Sequence, residues 1–332
     1  MSQYRYNVIM DQWIILAAER GRRPSDFAKG QNDGQEEFDQ SCPFCPGHER
    51  MTPPEVFAFG DVGREADGPG WTVRVVPNKY PALTEQVEWE ATTVFDCRAG
   101  QGAHEVIIQS PAHHRQFAYH DTDHAALILR TLRERYQYHA GQGRVRQICI
   151  FNNHGSSSGA SLTHPHFQLI GPAIISPWVH AQLEHCRRYR DEHECDVFET
   201  VIEKELAETV RLVAANEDFV AVCPFGSAVP FELYVLSRAE LGHFGDVSDR
   251  MLENLAGILQ PILKRLDEGL GNPDYNLVFH VAPVGGGYRG FRWYGQLYPR
   301  LSIRGGLELG CDMYINTVSP ESAASFYRGE VD

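Results

Sequence analysis

His164–Leu169 reads HPHFQL, and 128 residues later Arg292–Leu297 reads RWYGQL. Two further blocks repeat in the same order. His104–Phe117, HEVIIQSPAHHRQF, matches Phe231–Phe244, FELYVLSRAELGHF, at an offset of 127, sharing a second-position glutamate, an apolar alternation, a serine, an alanine and the closing phenylalanine. Ile148–Phe151, ICIF, matches Asn276–Phe279, NLVF, at 128. Three ordered blocks at nearly one spacing indicate an internal duplication. Around them each copy reads as strand, helix, strand. Val73–Val76 and Glu105–Gln109 are predicted strands. A helix follows from Thr122 to about Tyr138, capped by Asp121, with Ala126, Leu129, Leu132 and Tyr136 on one stripe. In the second copy Ser248 is positioned to cap a helix carrying Leu252, Leu255, Leu259 and Ile262. Strands Gln147–Asn152 and Asn276–Val281 come next. Sheet, helix, sheet predicts an α+β fold of two tandem domains, with antiparallel sheets and packed helices, spanning residues 1–185 and 186–332. The charged segment Gln182–Glu208 is predicted helical and joins the halves, and Ala28–Asp39 is predicted to be a polar loop.

Composition limits the function. Of 332 residues 42% are hydrophobic and 22% charged, which is globular composition. The net charge of −14 argues against a nucleic-acid or anionic-membrane binder. Eight cysteines are too few for a disulfide scaffold, and no signal segment is evident, so a reducing cytoplasm is expected.

Chemistry concentrates in His164-Pro165-His166-Phe167-Gln168. On a strand His164, His166 and Gln168 share a face, and Pro165 suggests a sheet edge or a bulge. Two histidines and a glutamine are costly to bury without partners. The preceding loop, Asn152–Ser161 (NNHGSSSGAS), is rich in glycine and serine, and its backbone N–H groups and hydroxyls suggest an anion nest. It lacks the lysine of a P-loop. Cys42-Pro43-Phe44-Cys45 is a CxxC pair, which means either a redox pair or zinc. With zinc, the other ligands come from His113 or His114 and from His164, and His48 is a weaker choice.

HPHFQ, together with FNNHGSSSGAS, CPFC, SPAHH and PNKYPAL, resembles the galactose-1-phosphate uridylyltransferase family, a branch of the histidine-triad superfamily, over nearly the whole chain. The resemblance implies two histidine-triad-like domains, the first catalytic and the second degenerate. It also implies ping-pong transfer of a nucleoside monophosphate between a nucleoside-diphosphate hexose and a hexose 1-phosphate. His166 matches the nucleophile and Gln168 the glutamine that donates to a phosphoryl oxygen. A glutamine cannot protonate a leaving group, which suits transfer better than hydrolysis. The resemblance gives Cys42, Cys45, His113 and His164 as ligands of one structural zinc. His113 is chosen because it fills the SPxH position. Asn153 and Ser161 match phosphate contacts. Phe44, Asn78 and Tyr80 fall where the family holds base and ribose. Arg20 and Arg23 match a basic pair reaching a sugar phosphate across a homodimer interface. Glu308 matches a hexose-binding glutamate, and Asn316 lies near a glutamine position. Arg292, Tyr294 and Gln296 replace the histidine-triad residues in the second copy, so neither a second histidine site nor a second metal is expected. Lys79 stands where relatives carry an acidic residue, leaving the base open. The other readings are an ADP-glucose-type phosphorylase with phosphate as acceptor, a nucleotide-binding non-enzyme, and a zinc-stabilised interaction module.

Overall fold

Both expected helices form, each started by the cap residue the sequence supplies. The computed structural model describes residues 2–20, 37–85 and 99–331, without the side chain of Arg20. Helix α1 (Thr122–Gly141) opens where the Asp121 side chain accepts the N–H of His124. The next two helices are α2 (Pro177–His193) and α3 (Val197–Glu208). Helix α4 (Asp249–Leu270) opens where Ser248 accepts the N–H of Met251, and it ends at Gly271 with φ +65°. That left-handed backbone suits a glycine C-cap. The predicted stripes are the buried faces: Leu129 and Leu132 of α1 pack in one core with Leu255 and Leu259 of α4. Each such leucine contributes roughly 1.5–3 kcal/mol by leaving water.

That core covers one face of a ten-stranded antiparallel sheet. The strands are β3 (Phe57–Gly60), β4 (Trp71–Pro77), β5 (Gly102–Ile108), β6 (Cys149–His154), β7 (His166–Pro172), β8 (Leu212–Ala215), β9 (Phe219–Val222), β10 (Leu233–Ser237), β11 (Tyr275–His280) and β12 (Tyr294–Pro299). Their spatial order is β3-β4-β5-β7-β6-β11-β12-β10-β9-β8, a palindrome in the duplicated elements. At its centre Ile150 stands opposite Phe279 and Phe151 opposite Val278. The two halves therefore share one sheet. A smaller sheet joins β1 (Gln3–Asn7), β2 (Gln12–Leu16) and β13 (Ile315–Asn316), with β13 parallel to β2. The remaining helices are α5 (Gly306–Cys311) and α6 (Pro320–Tyr327). Among the described residues no helix is long and apolar enough to cross a membrane.

Three expectations change. Strand β7 lies inside the sheet, between β5 and β6, and Pro165 precedes its first residue, so its missing N–H breaks no ladder. The joining segment is two helices, broken at Glu194 (φ +62°), after which Asp196 caps α3. The repeat offsets also move by one. Val106 faces Gln168 as Tyr234 faces Gln296, so β5 and β10 correspond at 128. Phe151 faces Gln168 as Val278 faces Gln296, so β6 and β11 correspond at 127. A one-residue slip exchanges sheet faces. The shared glutamates are thus not equivalent. Glu105 turns to α1, where Arg135 donates to both of its oxygens at 2.9 and 2.6 Å, while Glu232 turns to the other face against Gln296. The counterpart of Glu232 is His104. Most of the loop expected at Ala28–Asp39 lies outside the described residues.

Candidate active site

On the sheet face away from α1 and α4, the CPFC turn meets the start of β7. Cys45 donates its N–H to the Cys42 carbonyl, which folds the two thiols to one side. Cys42 Sγ lies 3.6 Å from His164 Nδ1, and Cys45 Sγ lies 3.3 Å from His113 Nδ1 and 3.8 Å from His164 Nδ1. All four ligand atoms fall within 4.8 Å of one another. The edges of a zinc tetrahedron built from Zn–S and Zn–N bonds are about 3.5 Å, so the donor set fits. The far ring nitrogens are also engaged. His164 Nε2 donates to the Ser110 carbonyl at 2.8 Å, and His113 Nε2 lies 3.1 Å from Thr163 Oγ1. Those bonds orient the ligating edges. Burial pushes the His164 imidazole down to about 4, which keeps its Nδ1 lone pair available. His48 points elsewhere, with Nδ1 against the Cys42 carbonyl at 2.7 Å.

His166 opens β7. Its Nδ1–H donates to the His164 carbonyl at 2.8 Å, so Nε2 carries the lone pair. The ring is 6% exposed, and burial lowers its pKa, which keeps it neutral. The Phe44 ring meets it edge-on at 5.4 Å, and Asn152 Nδ2 donates to its carbonyl at 2.6 Å. Gln168 shares its strand face. His164 precedes the strand and turns its side chain to the thiols, which pack with Val106 and Ile108 on this same sheet face.

Part of the glycine-serine loop is spent on the fold itself. Four of its amides are engaged: Ser157 N–H donates to Asp274 Oδ2 at 2.6 Å, Ser158 and Ala160 to the Gly155 carbonyl, and Gly159 to the Ser156 carbonyl. Gly155 has φ +79°, and a Cβ there would meet Asp274 Oδ1 at 2.2 Å, so the position requires glycine. What points outward is Asn153. Its Oδ1 accepts from Asn276 Nδ2 at 2.7 Å, and Asn276 Oδ1 in turn accepts from Arg300 Nε at 2.5 Å. The Asn153 amide nitrogen is left for a ligand, oriented by two residues of the other half. Ser161 is exposed nearby in sequence.

The remaining expected residues are placed as follows. Asn78 Oδ1 accepts the Tyr80 N–H, and Tyr80 is exposed. Glu308 accepts from the N–H groups of Gly305 and Ile315, at 2.8 and 3.3 Å, and shapes the α5 turn. Asn316 is a correction. It is buried, donates both amide N–H groups to the Ser227 and Val229 carbonyls and accepts from Val318 N–H, so no donor is left and its side chain is closed off from a sugar. Arg23 and the Arg20 side chain lie outside the described residues. Sequence reasoning missed His104, Asn276 and Arg300. His104 was visible as the polar member of the His104-Val106-Ile108 face, but its register against Gln168 was not.

In the second half the equivalent positions have become core. Arg292 donates through Nε and Nη2 to Asp196 Oδ2, at 3.1 and 2.8 Å, and through Nη1 to the Ser237 and Arg238 carbonyls. Tyr294 is buried against Phe198 and Tyr234, and its hydroxyl accepts from Gln182 Nε2 at 2.7 Å.

Family models match both halves. Residues 1–193 fit the galactose-1-phosphate uridyl transferase N-terminal domain, and residues 182–301 fit its C-terminal domain. An ADP-glucose phosphorylase from Arabidopsis thaliana is 30% identical over 334 residues, covering 98% of this chain and 92% of that protein. A galactose-1-phosphate uridylyltransferase from Kluyveromyces lactis is 27% identical over 284 residues, covering 80% and 74%. The crystal structure of an Arabidopsis thaliana ADP-glucose phosphorylase with bound ADP-glucose superposes with a TM-score of 0.84 at 29% identity, over 100% of each chain.

Proposed function

The chain belongs to the galactose-1-phosphate uridylyltransferase family, and from that premise we propose that it transfers a nucleoside monophosphate from a nucleoside-diphosphate hexose to a phosphate-bearing acceptor through nucleotidyl-His166. The observation that carries this is the His166 Nδ1–H bond to the His164 carbonyl, which leaves Nε2 as a buried, neutral nucleophile. In the first half-reaction Nε2 attacks the α-phosphorus, a P–N bond forms, and the bond to the β-phosphate oxygen breaks. The hexose 1-phosphate leaves as an anion and needs no proton. In the second, an acceptor phosphate oxygen displaces His166. The Nδ1–H remains on the His164 carbonyl throughout and steadies the positive charge that develops on the ring. Gln168 Nε2 and Asn153 Nδ2 donate to the non-bridging oxygens, with Ser161 beside them. Phe44, Asn78 and Tyr80 hold base and ribose. Glu308 reaches hexose hydroxyls with its remaining lone pairs.

Cys42, Cys45, His113 and His164 hold zinc. The metal when bound supplies folding energy rather than a reacting group. Arg20 and Arg23 serve the sugar phosphate in a homodimer, and the protein works in the cytoplasm. The acceptor reading has two forms. Hexose 1-phosphate follows from the family, while the similarity to an ADP-glucose phosphorylase over almost the full chain favours inorganic phosphate with an adenine nucleotide.

The test is intact mass after brief exposure to UDP-, ADP- and GDP-hexose separately, followed by a chase with phosphate or hexose 1-phosphate. An acid-labile gain of one nucleoside monophosphate on His166 is expected, and the effective chase names the acceptor. Zinc-replete protein that gains no mass from any donor refutes the reading.

A further inference from the structure

The β5 strand presents to Gln168 a histidine that the proposed reaction does not use. His104 Nδ1 accepts the backbone N–H of Ala82 at 3.1 Å. Its ring proton must therefore sit on Nε2, which lies 2.9 Å from Gln168 Oε1. Asn78 Nδ2 is also near, at 3.1 Å, but Asn78 Oδ1 is fixed by the Tyr80 N–H, so Asn78 offers His104 a donor and no acceptor. The acceptor for Nε2–H is Gln168 Oε1. This leaves Gln168 Nε2, which has no protein partner among the described residues, on the sheet face it shares with His166.

The second half provides an internal comparison. Glu232 occupies the His104 position and Gln296 the Gln168 position, on the register given above. There the carboxylate accepts from Gln296 Nε2 at 2.6 Å, and Gln296 Oε1 meets His280 Nε2 at 2.8 Å. With a donor at the first position, the glutamine turns its nitrogen to the site. With an acceptor, it turns its nitrogen away.

We propose that His104 is a positioning residue that fixes the amide orientation of Gln168, so that Nε2 faces the transferring phosphoryl oxygens. This rests on the nucleotidyl-transfer reading. An amide presented the other way would set a carbonyl oxygen against an anion.

The test uses the full-length enzyme and a donor that labels the wild type, with rapid-quench measurement of nucleotidyl-His166 formation across donor concentrations. His104→Ala slows the maximal rate by about 10- to 100-fold, the cost of a misplaced catalytic group, with half-saturation changed less than about twofold. His104→Gln, whose amide N–H can reach the same oxygen, restores the rate to within about threefold of wild type. His104→Glu recreates the Glu232–Gln296 pair and falls to the Gln168→Ala rate or below. In a Gln168→Ala background, His104→Ala costs less than about twofold more. Multiplying losses, or His104→Gln as slow as His104→Ala, would overturn the proposal. If the alanine variant does not fold, the glutamine and glutamate variants decide it, checked by their melting temperatures. A wild-type enzyme that forms no adduct sinks the transfer reading itself, whereas an adduct formed equally fast by wild type, His104→Ala and His104→Glu sinks only the role of His104.

Discussion

Arg292 stands where the first half has a metal-type ligand, and its removal exposes what the second half has become. Asp196 is 1% exposed, and Arg292 is the cation that compensates it. Arg292→Met keeps much of the bulk but strands the carboxylate, which retains its capping bond from Glu199 N–H at 2.7 Å. Breaking a buried pair from one side costs about 3–5 kcal/mol. With an unfolding entropy of roughly 2.1 cal/mol/K per residue over 332 residues, about 0.7 kcal/mol/K, the melting temperature should fall by about 4–7 °C. Adding Asp196→Asn removes the stranded charge and preserves a good N-cap. The double variant should therefore recover to within about 1–2 kcal/mol of wild type. Circular dichroism melting reports stability, and nucleotidyl-His166 formation, expected to be unchanged, reports chemistry. A single variant melting within about 1 °C of wild type, or a double variant as low as the single, would refute the assignment of this pair as a structural replacement.

Three other changes probe separate links. His166→Gly should abolish adduct formation and leave the melt within a few degrees, and retained turnover would remove His166 from the mechanism. Cys45→Ser should lower both metal content by elemental analysis and melting temperature, since a structural metal contributes to folding. Wild-type protein free of zinc would contradict the site. Burial pushes the Glu232 carboxyl from 4.5 up to about 7. Between those values the native state holds a proton that the unfolded chain has released, so this group's contribution to stability falls as pH rises. Glu232→Gln should flatten the stability profile across that window, and an unchanged slope in denaturant midpoints would count against it.

Local signals were readable from the chain. Asp121 and Ser248 announce their helices because a cap needs only its own next turn. The CPFC pair and His164 stood out because few residue types bind metal, but His113 was separated from His114 only by the family resemblance, and the fold then brings Cys42, Cys45, His113 and His164 together. Properties that depend on strand pairing were not. The glutamates at 105 and 232 align well in sequence, yet lie on opposite faces, because register is decided by hydrogen bonds between strands that one-dimensional matching cannot see. The Ser157 amide looked available for an anion because nothing in NHGSSSG announces that Asp274, 117 residues further on, will take it. Asn316 looked like a ligand for the same reason: its carbonyl partners come from residues 227 and 229.

The pairing of β6 with β11 has a consequence for the history of the chain. Edge strands brought together about a local dyad are the arrangement two separate copies would adopt on meeting. Carrying both copies on one chain makes that meeting permanent. It also closes the way back. A chain shortened to the first copy would present Cys149–His154 as an uncovered rim, open to aggregation. It would lose Asn276 and Arg300 as well, and with them the orientation of Asn153. The second copy thus holds up the first, and neither can be cut away without cost to the other.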